Sequence, residues 1–119
     1  MKDFRNLTVW EKAHILTIEI YQMTLGFPQN EIYGLTAQIR RSCASIPANI
    51  AEGCGRDGDA EFRRFIQISM GSASELEYHL LLAHDLNLID DKKYENLNLK
   101  IIEIKRMLAS LIQKLKADS

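Results

Sequence analysis

The sequence predicts an all-α protein: an antiparallel, up-down-up-down four-helix bundle. Apolar residues recur at spacings of three and four through four long segments, and no segment alternates as a strand does. Gly, Pro and Asp residues mark the breaks between those segments. Because short connections make consecutive helices antiparallel neighbours, we expect one bundle domain over residues 1–119.

The first predicted helix begins at Thr8 and ends near Gly26. Thr8 and Glu11 have the spacing of a capping box, in which a hydroxyl and a carboxylate bind the first free amides. Gly26 can adopt a left-handed cap, and Pro28 cannot continue a helical turn. The apolar positions of this helix are Val9, Ala13, Leu16, Ile20 and Met23.

The second predicted helix runs from about Asn30 to Cys54 and contains Pro47. A proline inside a helix lacks an amide and crowds the carbonyl four residues earlier, which costs about 3 kcal/mol. Two alternatives are open: a continuous helix kinked near Pro47, or two helices divided near Ser45. The kinked helix is favoured because the apolar stripe keeps its phase across the proline, with members Ile39, Cys43, Ile46, Ile50 and Cys54.

The third predicted helix is capped near Asp57 or Asp59, ends near Asn87 and carries two seams. The first seam is Phe62, Ile66, Ser69, Ala73, Leu76, Leu80 and Ala83. The second seam is Phe65, Ile68, Ser72, Glu75, His79, Leu82 and Leu86. A single core covers one face of each helix, so the second seam predicts a homo-oligomer.

The fourth predicted helix runs from about Asp91 to Lys116. Acidic residues open it and lysines close it, which suits the helix dipole. Its apolar residues alternate steps of four and three: Leu97, Ile101, Ile104, Leu108, Leu111 and Leu115.

Small residues and carboxylates interrupt the apolar pattern in two stretches, residues 45–53 and 71–77. In the first stretch, one helical stripe carries Ser45, Asn49, Glu52 and Arg56, at steps of four, three and four. Flanking Ala and Gly residues predict close backbone packing with hydrogen bonds between helices. The residues assigned to packing or assembly are Ser45, Asn49, Glu52, Gly53, Ser72 and Glu75.

Composition limits the function classes. The formal net charge of −1 gives no global attraction to nucleic acid or to an anionic membrane. Apolar runs are too short for a membrane span, and the first residues lack the apolar segment of a signal peptide, so we expect a cytoplasmic protein with no membrane partner. Cys43 and Cys54 are predicted to be buried, inert thiols.

No motif predicts a catalytic site. None places a nucleophile on a strained turn beside a base. A two-metal carboxylate bundle needs two Glu-x-x-His pairs, and only Glu11 with His14 has that spacing. We therefore expect no enzyme activity, cofactor, metal or small-molecule substrate. The less favoured alternative is a metal bound by Glu52, Glu75 and His79.

Basic residues form a weak candidate for nucleic-acid binding. Arg56, Arg63 and Arg64 are predicted near one end of the bundle, with Arg40 and Arg41 further along. Such a patch would bind phosphates with a steep salt dependence. At this net charge, a solvated face paired with nearby acidic residues is the favoured alternative.

A set of motifs spans nearly the whole chain, from about Phe4 to Leu115. It comprises Leu7, Val9, Trp10, Lys12, Ala13, Tyr21, Phe27-Pro28, residues 38–41, residues 45–53, Gly71-Ser72 and residues 74–77. These motifs together resemble the bacterial four-helix-bundle family named after the 23S rRNA intervening-sequence protein. The resemblance implies a ring-like homopentamer and carries no catalytic residues. Relatives include accessory proteins of diversity-generating retroelements, in which a basic pentamer binds nucleic acid and the reverse transcriptase.

The motifs and the family resemblance favour two functions. The first is a non-enzymatic, homo-oligomeric scaffold or adaptor whose partner is RNA or a nucleic-acid-handling protein. The alternative is a protein-only interaction module that organises another bacterial protein and binds no nucleic acid.

Overall fold

The computed structural model describes residues 2–32 and 34–118, with side chains described to residue 116. This part of the chain forms four α-helices and no strand. The helices are α1 (Thr8–Thr24), α2 (Leu35–Cys54), α3 (Asp59–Asp85) and α4 (Asp91–Asp118), with short 3₁₀ turns at Phe4–Asn6 and Gln29–Glu31. The predicted all-α class is confirmed.

Each helix packs against the next, and α4 closes the bundle against α1. Helices α1 and α3 do not contact each other, so they lie diagonally across the bundle. Hydrogen bonds and ion pairs link Ile46 with Ser69 and Arg41 with Glu75. Residue numbers fall along α2 as they rise along α3, which shows that these two helices run in opposite directions.

The core is built from the apolar stripes that the spacing predicts. Completely buried side chains come from all four helices, and burying each one stabilises the fold by about 1.5–3 kcal/mol relative to leaving it exposed. The largest are Leu16, Ile20, Ile39, Ile46, Ile50, Ile66, Leu76, Leu80, Leu97, Ile101, Ile104 and Leu108.

Helix α2 continues through Pro47, so the alternative of two separate helices is wrong. The predicted kink stays a prediction. Pro47 has no amide to offer the Cys43 carbonyl, and the Thr17 hydroxyl of α1 lies 3.3 Å from that oxygen. Cys43 and Cys54 are buried free thiols, as predicted. Burial raises the pKa of the Cys43 thiol to about 11, which keeps it protonated.

Two predicted details of α1 are wrong. Leu7, rather than Thr8, precedes the helix, and no side chain caps it, because Thr8 already lies in the first turn. The predicted capping box of Thr8 and Glu11 is therefore absent. Gly26 does not adopt the left-handed conformation; α1 ends at Thr24 with Leu25 in a right-handed helical conformation.

Helix α2 begins at Leu35, later than the predicted Asn30, because a 3₁₀ turn takes up Gln29–Glu31. Tyr33, inside the predicted range, lies outside the described residues. Helix α3 begins after Gly58, and neither Asp57 nor Asp59 caps it. The φ of +82° at Gly58 is one that glycine adopts without a steric penalty.

The connection between α3 and α4 is closed by local hydrogen bonds. Asn87 has a φ of 63°, and the amide of Leu88 donates to the carbonyl of Ala83 at 2.9 Å, as in a left-handed helix cap. At the start of α4, the Asp90 carboxylate accepts from the amide of Lys93 at 2.7 Å. The acidic opening predicted for this helix therefore has a capping role.

Candidate functional site

The polar stripe of α2 forms hydrogen bonds along its own helix. The Ser45 hydroxyl donates to the Arg41 carbonyl at 2.7 Å, and the Asn49 amide donates to the Ser45 carbonyl at 2.8 Å. Arg56 pairs with Glu52 at 2.9 Å. These contacts lie within α2, because a four-residue step places each side chain over the preceding turn of the same helix. The predicted hydrogen bonds from this stripe to another helix stay a prediction.

Other residues make the polar contacts between α2 and α3. The buried Ser69 hydroxyl donates to the Ile46 carbonyl at 2.9 Å. Arg41 pairs with Glu75 across the same two helices. Sequence reasoning placed Ser69 in an apolar seam without giving it a role. A lone hydroxyl in such a seam is the signal that could have identified it, because a buried hydroxyl needs a partner.

Gly53 lies in close contact with α3, which leaves no space for a side chain at this position of α2. A Cβ added there would lie 2.8 Å from the Cβ of Phe65 and 3.0 Å from Cδ1 of Phe62. Both contacts are shorter than ordinary van der Waals separation. Gly53 therefore acts inside the subunit, where it lets the two phenylalanine side chains pack against the α2 backbone.

Three of the predicted basic residues lie together near the turn between α2 and α3. The guanidinium groups of Arg56 and Arg64 lie 4.9 and 4.6 Å from the centre of the Phe65 ring. Arg63, the residue before Arg64, is half-buried. Arg64 also binds Glu61 at 3.1 Å, and this hydrogen bond holds the pKa of the Glu61 carboxyl below its usual value. Carboxylates of the same chain thus neutralise part of this cluster.

Arg40 and Arg41 face different neighbours. Arg40 turns towards α1, where its Nε donates to the Thr24 hydroxyl at 2.8 Å and its Nη2 to the Tyr21 carbonyl at 3.2 Å. Arg41 pairs with Glu75 on α3. The five predicted basic residues therefore do not form one continuous patch.

The outer side of α3 exposes an uncharged surface, which we call the α3 face: Ile68, Gly71, Ser74, Tyr78 and Leu81. Tyr78 is 58% exposed, and Ile68 and Leu81 are each about 40% exposed. A Cβ added at Gly71 would meet nothing within 4 Å. Helix faces in contact with water usually carry charged residues, so this face has the composition of a contact surface.

The second seam predicted on α3 is only partly continuous with this face. Phe65 is buried in the subunit, whereas Ile68 and Leu86 are exposed. The remaining members are half-buried along the edge of the face: Ser72, Glu75, His79 and Leu82. The exposed surface is therefore rotated around the helix from the stripe that spacing predicted.

Helix α1 exposes a second apolar surface, which we call the α1 face: Ile15, Ile18, Tyr21 and Leu25. Leu25 is 78% exposed and Ile15 is 56% exposed. Because α1 and α3 are diagonal in the bundle, these two faces belong to helices that are not neighbours. The subunit thus presents two different apolar surfaces on separate sides.

Neither a metal cluster nor a membrane span is found in the described ranges. No three His, Cys, Asp or Glu side chains of that part of the chain are grouped as metal ligands would be. Of the residues considered as ligands, Glu52 pairs with Arg56 and Glu75 with Arg41. Among the helices that the structure describes, none is both long and apolar enough to cross a membrane.

The fold and these surfaces define a class: a small four-helix bundle with exposed apolar residues on two diagonal helices. The chain belongs to the 23S rRNA-intervening sequence protein family, whose model matches residues 5–110. It is similar to the crystal structure of a protein of unknown function from the S23 ribosomal protein family of Bacteroides thetaiotaomicron. The two chains are 29% identical, with a TM-score of 0.81 over 88% of this chain and 95% of that one. No curated protein matches this chain.

Proposed function

We propose that this chain is a non-enzymatic, homo-oligomeric scaffold whose subunits associate through the α3 face and the α1 face. The observation that carries the proposal is the α3 face, where four turns of helix expose no charged residue in the stripe from Ile68 to Leu81. Burying apolar surface is worth about 25 cal/mol per Å², so such a stripe favours association.

Gly71 supports the choice of the α3 face. A glycine in the middle of a long helix lowers helix stability by roughly 0.5–1 kcal/mol relative to alanine. Nothing inside the subunit requires it, because an added Cβ would meet open space. In the proposed contact, the missing side chain lets a neighbouring subunit approach the α3 backbone closely.

The diagonal arrangement of the two faces favours a ring. A two-fold dimer pairs one surface with itself, whereas a head-to-tail contact joins two different surfaces and closes into a ring when the rotation allows. The α1 and α3 faces are two different surfaces, on helices that are not neighbours in the bundle. A pentamer is the ring size that the family resemblance implies, and we adopt it for this chain.

A substitution at Gly71 tests the assembly. Gly71→Arg places a long charged side chain on the α3 face without a clash inside the subunit. We expect the wild-type protein to have the mass of a pentamer by light scattering and native mass spectrometry, and the variant to have that of a monomer. Helical circular dichroism should be unchanged.

The matched control is Gln113→Arg, which adds the same charge at an exposed position on α4. This variant should assemble as the wild type does. A wild-type protein that is monomeric at micromolar concentration would refute the proposal. A Gly71→Arg variant that still has the mass of a pentamer would also refute it.

Nucleic-acid binding is a second candidate function for the same scaffold. The supporting observation is that Arg56 and Arg64 are held side by side on Phe65, next to Arg63. A ring would repeat this cluster in every subunit, and phosphate contacts from repeated subunits add together. The pairing of Arg56 with Glu52 and of Arg64 with Glu61 favours the protein-only alternative.

Salt dependence separates these two candidates. The wild type, the double variant Arg63→Glu/Arg64→Glu and the control Arg106→Glu on α4 are titrated with an RNA hairpin and with duplex DNA at low and physiological salt. Nucleic-acid binding predicts affinity that survives physiological salt and is lost only in the double variant. If binding is absent or disappears above low salt in the wild type, the protein-only module is supported.

A further inference from the structure

A small cavity lies between the end of α1, the connection after it and the first two turns of α2. Its volume is about 160 Å³, and it opens to solvent. Its apolar lining comes from Leu25, Phe27, Pro28 and Ile32, and the polar residues Thr24 and Gln29 also line it. Thr36 and Arg40, one helical turn apart on α2, provide polar groups on the same wall. The cavity therefore combines an apolar wall with polar groups that converge from one helix.

Thr36 is a polar residue without a partner. It is 3% exposed, and its hydroxyl makes no hydrogen bond to any residue within 2–32 or 34–118. Threonine in a helix often donates to the carbonyl four residues earlier, but Thr36 does not. A buried hydroxyl without a partner is unfavourable, so a ligand that accepts its proton would remove this cost.

Arg40 brings a positive charge that no described carboxylate neutralises. Its Nε and Nη2 donate to neutral oxygens of Thr24 and Tyr21, and Nη1 has no hydrogen bond to the described residues. The arginines Arg41, Arg56 and Arg64, by contrast, each pair with a carboxylate. The guanidinium edge formed by Nη1 and the second hydrogen of Nη2 is thus available to an acceptor.

The start of α2 lies beside the cavity, and the Glu31 carboxylate is close to it: its Oε1 would be 3.3 Å from a Cβ added at Gly34. Gly34 precedes the helix and has no side chain to cap it. The first turn of a long helix carries a partial positive charge and attracts anions. The orphan hydroxyl of Thr36 and the guanidinium of Arg40 line the same cavity.

We propose that this cavity binds a carboxylate carried on a short apolar group. The guanidinium edge of Arg40 binds the two carboxylate oxygens, Thr36 donates its hydroxyl hydrogen, and the apolar wall covers the remainder of the ligand. A single guanidinium matches the single charge and the planar, two-oxygen geometry of a carboxylate. A phosphate monoester, with a charge of roughly −1.5 to −2 at neutral pH, would be only partly compensated. Leu25 belongs both to the cavity wall and to the α1 face, so a ligand and a neighbouring subunit would both contact it.

Binding is measured by NMR titration of ¹⁵N-labelled wild-type protein with sodium butyrate. Its neutral isostere butyramide and inorganic phosphate are the comparison ligands. We expect saturable shifts for butyrate, confined to the cavity residues and the Nε of Arg40. Butyramide and phosphate should bind at least about tenfold more weakly. Absence of a saturable butyrate shift, or equal binding of butyramide, would overturn the proposal.

Two variants test the assigned groups. Arg40→Gln should weaken butyrate binding by about tenfold to a hundredfold. Thr36→Val keeps the side-chain shape and should weaken binding by a few fold. The same change should raise the melting temperature of the unliganded protein, because it removes a buried hydroxyl without a partner.

The opposite effects of Thr36→Val on binding and on stability keep the test valid even if Arg40→Gln disturbs the fold. The control Arg106→Gln on α4 should bind butyrate as the wild type does. Full butyrate affinity in Thr36→Val would contradict the assignment of its hydroxyl.

The carboxylate can come from a free small molecule or from a protein side chain. An acetylated leucyl-glutamate amide presents the group as a peptide does. Tighter binding of this peptide than of butyrate, with the same dependence on Arg40 and Thr36, identifies a protein side chain as the source. Preference for butyrate identifies a small molecule, and failure of both ligands to bind overturns the proposal.

Discussion

Gly53 and Gly71 occupy adjacent helices, but an added methyl group would meet opposite surroundings at the two positions. At Gly53 it would press against Phe62 and Phe65 of the same subunit, whereas at Gly71 it would meet open space. Contacts with Phe62 and Phe65 explain why position 53 is a glycine. No contact inside the subunit explains the glycine at position 71, and its neighbours on the α3 face include exposed apolar residues.

Small residues in a helix can thus serve two purposes. Inside the subunit they set the separation of two helices, because interiors are packed closely and tolerate little added volume. On the surface they keep a helix backbone accessible to another molecule. Substitutions at the two positions should therefore change stability in opposite directions.

The largest effect is expected at Gly53. Gly53→Ala should lower the free energy of unfolding by about 1–2 kcal/mol, since the strain of overpacking exceeds the roughly 1 kcal/mol that Ala gains over Gly in a helix. Urea denaturation followed by circular dichroism measures the change. A variant as stable as the wild type would show that Phe62 and Phe65 move aside at little cost.

A somewhat smaller loss is expected at Ser69, which joins the same two helices. Ser69→Ala removes the buried hydrogen bond to the Ile46 carbonyl and should cost about 1 kcal/mol. The control is Ser74→Ala on the exposed side of α3, which should be nearly neutral. Equal losses in the two variants would mean that the interhelical hydrogen bond is not what stabilises this contact.

Gly71→Ala should have a small effect of the opposite sign. Ala favours the helix over Gly by about 0.5–1 kcal/mol, and its methyl group meets nothing inside the subunit. The gain is measured by urea denaturation of the wild type and the Gly71→Ala variant, each diluted until its subunits are dissociated. A loss of stability in the dissociated subunit would refute the open surroundings described for Gly71.

The smallest effect is expected at His84, near the end of α3 and away from both glycines. Its Nε2 lies 2.6 Å from the exposed Asp91 carboxylate, and this hydrogen bond raises the pKa of His84. A raised folded-state pKa means that protonation stabilises the fold. This contribution is complete below the unfolded-state pKa of about 6.5 and disappears as pH rises through the folded-state value.

The wild type should therefore lose melting temperature relative to His84→Gln as pH rises from about 6.5 through the raised folded-state pKa of His84, and added salt should reduce the difference. If melting temperature depends on pH identically in the two proteins, protonation of His84 does not stabilise the fold. An NMR titration of the His84 ring provides an independent measurement of the direction of its pKa shift.

The core and the helix order could be predicted from the sequence because apolar spacing reports burial directly. The stripe Leu97 to Leu108 of α4 is buried as its spacing predicts. Helix ends were predicted less well, because a cap depends on backbone conformation as well as residue type. Thr8 and Asp59 have suitable side chains for capping, but both fall inside the first turn of their helices.

The candidate surfaces were harder to predict. Spacing placed a second seam on α3, but it could not show that Phe65 turns inward while Tyr78 turns outward. Nor could it show that Arg40 faces α1, because that depends on how the helices are rotated about their axes. The cavity at Thr36 is formed within residues 24–40, but it depends on how the connection after α1 folds back against α2, and no spacing pattern marks it.

The closure of the bundle by α1 and α4 has a consequence for how the fold opens. These two helices, from opposite ends of the chain, meet less extensively than α2 and α3 do. Ion pairs from Glu19 to Lys93 and Lys100 bridge them. Helix α4 also packs extensively against α3, so we expect backbone amides in α1 to exchange with deuterium before those of α2, α3 and α4.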